Sequence, residues 1–215
     1  INILGTSGDY ASSLTPNASY YKGSLTSIDT YYWNYEGCPE SNGGNGSNIW
    51  STSFLNGYTL NSDYLYRMKT SWSNKIANHT WKVGGGDLAF ETVQNAYKNE
   101  ITSPIDAITY DAKVGLMYVS DYGYAAAPSA WTTIISSYDE SSVITVNWMY
   151  MGFDEWTISP GSNDNIGVFN VYCSGNVYTP PASYGKSAVR PVFYLKPEIA
   201  YSAGSGTISS PYILE

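Results

Sequence analysis

The chain has 215 residues, enough for one large domain or two small ones with a substantial core. Only 13% of the residues are charged, and ten Lys and Arg against 18 Asp and Glu leave a net charge of -8. That balance excludes a nucleic-acid backbone and an anionic membrane surface as natural partners, since both are met by clustered Lys and Arg.

Residues 1–29 read as an irregular N-terminal extension of a single domain spanning 1–215. "YYWNYEGC" (31–38) is expected to be a strand entering a turn, and "PESNGGNGSN" (39–48) a loop. In "NSDYLYRMKTSWSNKIA" (61–77), Leu65, Met68, Trp72 and Ile76 recur at spacings of 3, 4 and 4, which predicts a helix with one apolar face. Asn61 or Ser62 would cap it, and Asp63 suits its positive end. "TWKVGGGD" (80–87) reads as a short strand ending in glycines, without a phosphate-loop pattern. A short helix is expected in 88–101, a buried central strand in "AKVGLMYVSDYGYA" (112–125), and a loop with one helical turn in 127–142. Strand-like pieces then follow closely: "VITVNWMYMG", "EWTIS", "GVFNVYC", "NVYTP" and "SAVRPVFYL". The tail "GSGTISSPYILE" is extended and suited to closing a sheet edge. No apolar run approaches the 18 or so residues of a membrane span. Because the chain opens on Ile1, a processed product or a piece of a longer protein is expected.

Two stretches carry more information. In "GVFNVYCSGNVYT" (167–179), "SGN" is a turn and the flanks alternate. Phe169, Val171 and Cys173 share one face, expected to be core; Asn170 and Tyr172 share the other, expected to be exposed. With Asn176 and Tyr178 across the turn, Tyr184 on the following loop, and Ser162 and Asn165 at the border, they form a candidate ligand-binding patch. The 22 Tyr of the chain, with Ser, Gly and Asn throughout, are the residue types of binding surfaces. In "SAVRPVFYL" (187–195), Arg190 and Pro191 interrupt a strand. A buried arginine needs a partner, and a proline belongs at an edge or bulge.

These pieces resemble a bacterial family when read in order. "NIWSTSFLNGYTLNSDYL", "VGLMYVSDYGYA", "EWTISPGS", "FNVYCSGNVY", "SAVRPVFYLKPEI" and "GSGTISSPYIL" are similar to the C-type-lectin-like domains related to the formylglycine-generating enzyme. More narrowly, they resemble those of Gram-positive gut-bacterial surface proteins. The resemblance implies an α+β, C-type-lectin-like fold: twisted antiparallel sheets, one or two helices and long irregular loops. It implies a structural role for Arg190, tying the ligand-presenting loops to the sheet, with Asp154 or Glu155 beside Trp156 as its partner. It also places 159–186 where the variable proteins of diversity-generating retroelements carry their ligand-facing residues.

Signals for catalysis are sparse. The enzyme branch of that superfamily holds copper on two nearby cysteines, whereas Cys38 and Cys173 lie far apart in this chain. They allow one disulfide, or buried free thiols. The calcium triplets of other branches are missing, and "SNDN" (162–165) is an ordinary polar loop. His79 is the single histidine, and no HExxH or GxSxG occurs. Neither metal nor cofactor is expected. The sequence points to an extracellular or cell-surface, non-catalytic adhesion or recognition domain for a glycan or protein ligand. A carbohydrate-active enzyme with dispersed carboxylates, or a subunit of a pilus-like or phage-like assembly, are the alternatives.

Overall fold

The computed structural model describes residues 31–35, 46–87, 91–138, 147–150, 152, 154–162, 164–184, 187–207 and 209–214. The extension 1–29, Cys38 and the strand piece at 143–146 lie outside the described residues. Short runs of β-branched and aromatic residues form β1 (His79–Lys82), β2 (Thr109–Ala112), β3 (Val114–Gly115), β4 (Glu155–Pro160), β5 (Val168–Val171), β6 (Val177–Tyr178), β7 (Val192–Phe193), β8 (Tyr201–Ala203) and β9 (Ile213–Leu214). They pair as β1-β2, β3-β7, β4-β5-β6 and β8-β9, each ladder antiparallel. The helices are short: α1 (Leu65–Arg67), α2 (Thr70–Ser73), α3 (Val93–Tyr97) and α4 (Val119–Tyr124), with π-helical segments at Leu55–Tyr64 and Lys98–Thr102. The chain is thus a mixed α+β protein of several small antiparallel sheets and few helices.

The expected helix over 61–77 is displaced. It begins at Leu55 in the π-helical segment, runs into α1 and stops at Met68, where ψ is 146°. Asn61 therefore lies inside the helix and not at its cap. Its Nδ2 donates to the Val114 carbonyl at 2.8 Å, and its Oδ1 accepts the Val114 N–H at 3.0 Å. One amide side chain thus pairs with a backbone residue as a neighbouring strand would. Leu60, Met68 and Ile76 are buried, and Leu65 packs against them. Trp72, expected on the same face, is only half-buried, with the Lys75 ammonium 5.9 Å from its ring centroid. The extended Met68 and Lys69 between α1 and α2 break the helical phase, so a spacing of four no longer returns to the same face.

The apolar run at 112–125 is buried as expected, but it is not one strand. β3 covers only Val114–Gly115, and α4 begins at Val119. The Asp121 carboxylate accepts the Tyr118 N–H at 2.9 Å and starts the helix. A continuous apolar run reads alike for a buried strand and a buried helix. Gly115 is where Trp81 lies flat on the backbone: a Cβ there would meet the indole at 2.8 Å.

Two apolar clusters sit on either side of β4-β5-β6. One holds Trp33, Trp50, Trp81, Trp156, Ile158 and Val168; the other holds Tyr122, Tyr138, Phe169, Val171 and Val177. Val192 packs against both. The central sheet is therefore covered on its two faces, and β4 and β5 are buried along their whole length.

The Arg190-Pro191 interruption falls between two pairings. Ala188 bridges Glu155, and Val192 pairs with Gly115 on β3. Pro191 thus stands where the chain leaves one ladder and has not joined the next, so its missing N–H costs no ladder bond. The tail does not close the main sheet. β8 and β9 form a separate hairpin, with Tyr201, Tyr212 and Ile213 exposed. Among the described residues, no helix is long and apolar enough to cross a membrane.

Candidate functional site

The central sheet sets the site. β5 ends at Val171, and the chain reverses through Tyr172, Cys173, Ser174 and Gly175 into β6. Gly175 has φ 96°, in the left-handed region that glycine enters without strain. Tyr172 N–H donates to the Asn176 carbonyl at 2.8 Å and closes the turn. Tyr172 and Tyr178 then stand side by side, with ring centroids 5.0 Å apart and planes at 78°. Asp154, just before β4, anchors the corner: Oδ1 accepts the Cys173 N–H at 2.9 Å and Oδ2 accepts the Tyr184 hydroxyl at 3.4 Å. The Tyr150 hydroxyl donates to the Cys173 carbonyl. Tyr172 is exposed, and Tyr178, Tyr184 and Asp154 are half-buried.

Of the predicted patch, the structure thus brings together Tyr172, Tyr178 and Tyr184, with Asn176 at the turn. It does not include Asn170, which is fully buried and donates from Nδ2 to Ser187 Oγ at 2.6 Å. The alternation itself holds, because Phe169 and Val171 point into one apolar cluster. The error lies in taking the other face as solvated: Ser187 and the tryptophan cluster cover it. Cys173, expected inward, is an exposed free thiol, because the strand ends two residues before it. Ser162 and Asn165 are exposed but stand at the far end of β5, beside the Gly161–Gly167 pairing. Their loop is tied down from within. Asn48 Nδ2 donates to the carbonyls of Gly161, Asp164 and Gly167, and Asp164 Oδ1 accepts the Ile166 and Gly167 N–H groups.

Beneath the corner lies Arg190, which is 5% exposed. Its Nε and Nη2 donate to the two Glu155 oxygens at 2.6 and 2.7 Å, and Nη2 also donates to the Met149 carbonyl at 2.8 Å. Of the two acids considered beside Arg190, Glu155 is the partner. Adjacent strand residues point oppositely, so Asp154 turns to the corner while Glu155 turns inward. Trp156 follows, fully buried, with Nε1–H donating to the Tyr31 carbonyl at 2.9 Å.

The electrostatics oppose nucleophilic chemistry at Cys173. Burial and the nearby Asp154 charge push its thiol pKa up, whereas a reactive cysteine needs a cationic neighbour that pulls it down. His79 sits on β1, stacked on Tyr194 at 4.1 Å, and burial lowers its pKa. Tyr172 is raised by the Cys173 sulfur and Asp154, and Tyr178 by burial and then Asp154. Asp154 is thus the charge that faces these two phenols. Among the described residues, no group of three or more His, Cys, Asp or Glu is arranged to hold a metal.

Sequence reasoning missed Glu100, a fully buried carboxylate. It accepts the N–H groups of Val119 and Ser120 at 3.0 and 2.9 Å and the Ser159 hydroxyl, joining α4 to β4. Burial pushes its pKa from 4.5 to about 7, against the pull of those donors. Nothing in "KNEIT" distinguishes it from a surface acid, since its partners are distant in sequence. A raised carboxyl pKa means that the folded state holds its proton longer than the unfolded chain. The stability this group confers is therefore complete below pH 4.5 and lost as pH rises through about 7. We expect a loss of roughly 3 kcal/mol across that window. Urea unfolding at pH 5 and 8 measures it, and Glu100→Gln should reduce the difference, leaving the share of the buried Glu155, which burial also pushes up to about 7. An unchanged difference in that variant would contradict the assignment.

No protein-family model matches the chain, and no curated protein or solved structure was found to be similar to it.

Proposed function

We propose that the chain is a non-catalytic recognition domain, displayed outside the cell, that binds a glycan or protein ligand through the Tyr172, Tyr178 and Tyr184 corner. The carrying observation is the convergence of these rings on the anchored Asp154, over the buried Glu155–Arg190 pair. Tyrosines held this way offer ring faces and hydroxyls at little entropic cost on binding, while the backbone beneath them is fixed. The resemblance to C-type-lectin-like domains of Gram-positive surface proteins supports the same reading, and mixed α+β architecture with small antiparallel sheets is compatible with that fold.

The alternative of a carbohydrate-active enzyme draws less support. Two of the carboxylates it could draw on are closed to substrate: Glu100 and Glu155 are 4% and 1% exposed and each is engaged by internal donors. An assembly subunit is the second reading, favoured by the exposed Tyr201, Tyr212 and Ile213 of the β8-β9 hairpin.

Screening the wild-type chain and the triple variant Tyr172→Ser, Tyr178→Ser, Tyr184→Ser on glycan arrays and intact cells tests the proposal. Binding should be lost in the variant with the melting transition retained. Undiminished binding would move the site elsewhere, and the hairpin would be the next surface to alter.

A further inference from the structure

Asp154 is the least explained charge at the corner. Among the described residues the ion pairs are Arg67–Asp63 and Arg190–Glu155, and no cation faces Asp154. Its carboxylate accepts the Cys173 N–H and the Tyr184 hydroxyl, with the Cys173 thiol also beside it. Beside it, the exposed Tyr172 ring meets the half-buried Tyr178 ring edge to face, with planes at 78°. An acid held next to perpendicular ring faces is the arrangement that attracts an organic cation. The rings supply their negative faces, and the carboxylate supplies the counter-charge.

We propose that this corner binds an alkylammonium group, seated against the Tyr172 and Tyr178 rings with Asp154 as its counter-ion. The inference rests on the recognition role proposed above and names the chemistry of its ligand. A quaternary ammonium head suits it best. Such a head is weakly hydrated, presents methyl groups to aromatic faces and needs no hydrogen-bond acceptor of its own. The Asp154 carboxylate disfavours an anion in the same place. The net charge of -8 favours approach of a cation to the molecule as a whole.

Choline chloride is the probe, titrated into the full chain by calorimetry against sodium chloride. The uncharged isostere 3,3-dimethyl-1-butanol shares its shape, and glycerophosphocholine presents the same ammonium on a lipid-derived headgroup. Saturable choline binding is expected, with the isostere at least about tenfold weaker. Glycerophosphocholine that binds as well as choline assigns the site to headgroups, and weaker binding assigns it to free cations; either supports the ammonium chemistry. Asp154→Asn keeps an Oδ1 acceptor for Cys173 N–H, removes the charge and turns the Oδ2 acceptor of the Tyr184 hydroxyl into an amide donor, so it should weaken choline about tenfold with the fold intact. Tyr172→Ser should weaken it as well. No saturable choline binding, equal binding of the isostere, or an unchanged affinity in Asp154→Asn would each overturn the proposal. If choline fails while the triple tyrosine variant still loses its array ligand, recognition at this corner stands and the cation assignment falls.

Discussion

Replacing Arg190 by methionine is expected to cost about 3–5 kcal/mol of folding stability, the usual consequence of breaking a buried ion pair from one side. Glu155 would be left 1% exposed without its two guanidinium donors, and the Met149 carbonyl would lose its donor as well. The loss extends beyond electrostatics, because Arg190 ties the segment after Ala188 to β4 and to residue 149. Urea unfolding of the variant measures the cost. Replacing both partners, Arg190→Met with Glu155→Leu, removes the orphaned charge and should recover much of the loss. A single-variant cost below about 1 kcal/mol would mean that the pair contributes no more than an exposed one.

Trp156→Ala is expected to destabilise the chain by a similar amount, about 3–5 kcal/mol. The indole is fully buried in the cluster with Trp33, Trp50 and Trp81, and its N–H reaches the Tyr31 carbonyl. Truncation opens a cavity against a sheet that is covered on both faces, which leaves little room for collapse. It also leaves the Tyr31 carbonyl without that donor. A melting transition close to that of the wild type would show that this cluster is not the core.

Arg190 stands out in a strand because a charged side chain between valines demands a partner, and the family resemblance implied the acids before Trp156 as candidates. The strands themselves follow from β-branched and aromatic runs bounded by turn residues, and "EWTIS", "GVFNVYC" and "NVYTP" all fall on observed strands. What failed was inference about layers. Period-two alternation assigns Asn170 and Phe169 to opposite faces, but it carries no information on whether a face meets solvent or a second layer. That depends on the distant segment at Ser187. The helix phase failed at Met68 and Lys69 because no Gly or Pro marks the break. The extended backbone there leads into α2, and the chain then bridges Leu195 at Ile76, a tertiary pairing. Tyr172, Tyr178 and Tyr184 converge as the turn predicts, whereas the anchoring Asp154 was considered only for Arg190. Its role at the corner follows from Glu155 taking the inward position.

The most direct test of the recognition corner is a titration of protein carrying ring-labelled tyrosine, using the array member that the wild type retains, followed by NMR. The resonances of Tyr172, Tyr178 and Tyr184 should shift on binding while those of the buried Tyr64, Tyr122 and Tyr138 stay in place. Shifts confined to Tyr201 and Tyr212 of the β8-β9 hairpin, with the corner silent, would contradict the account.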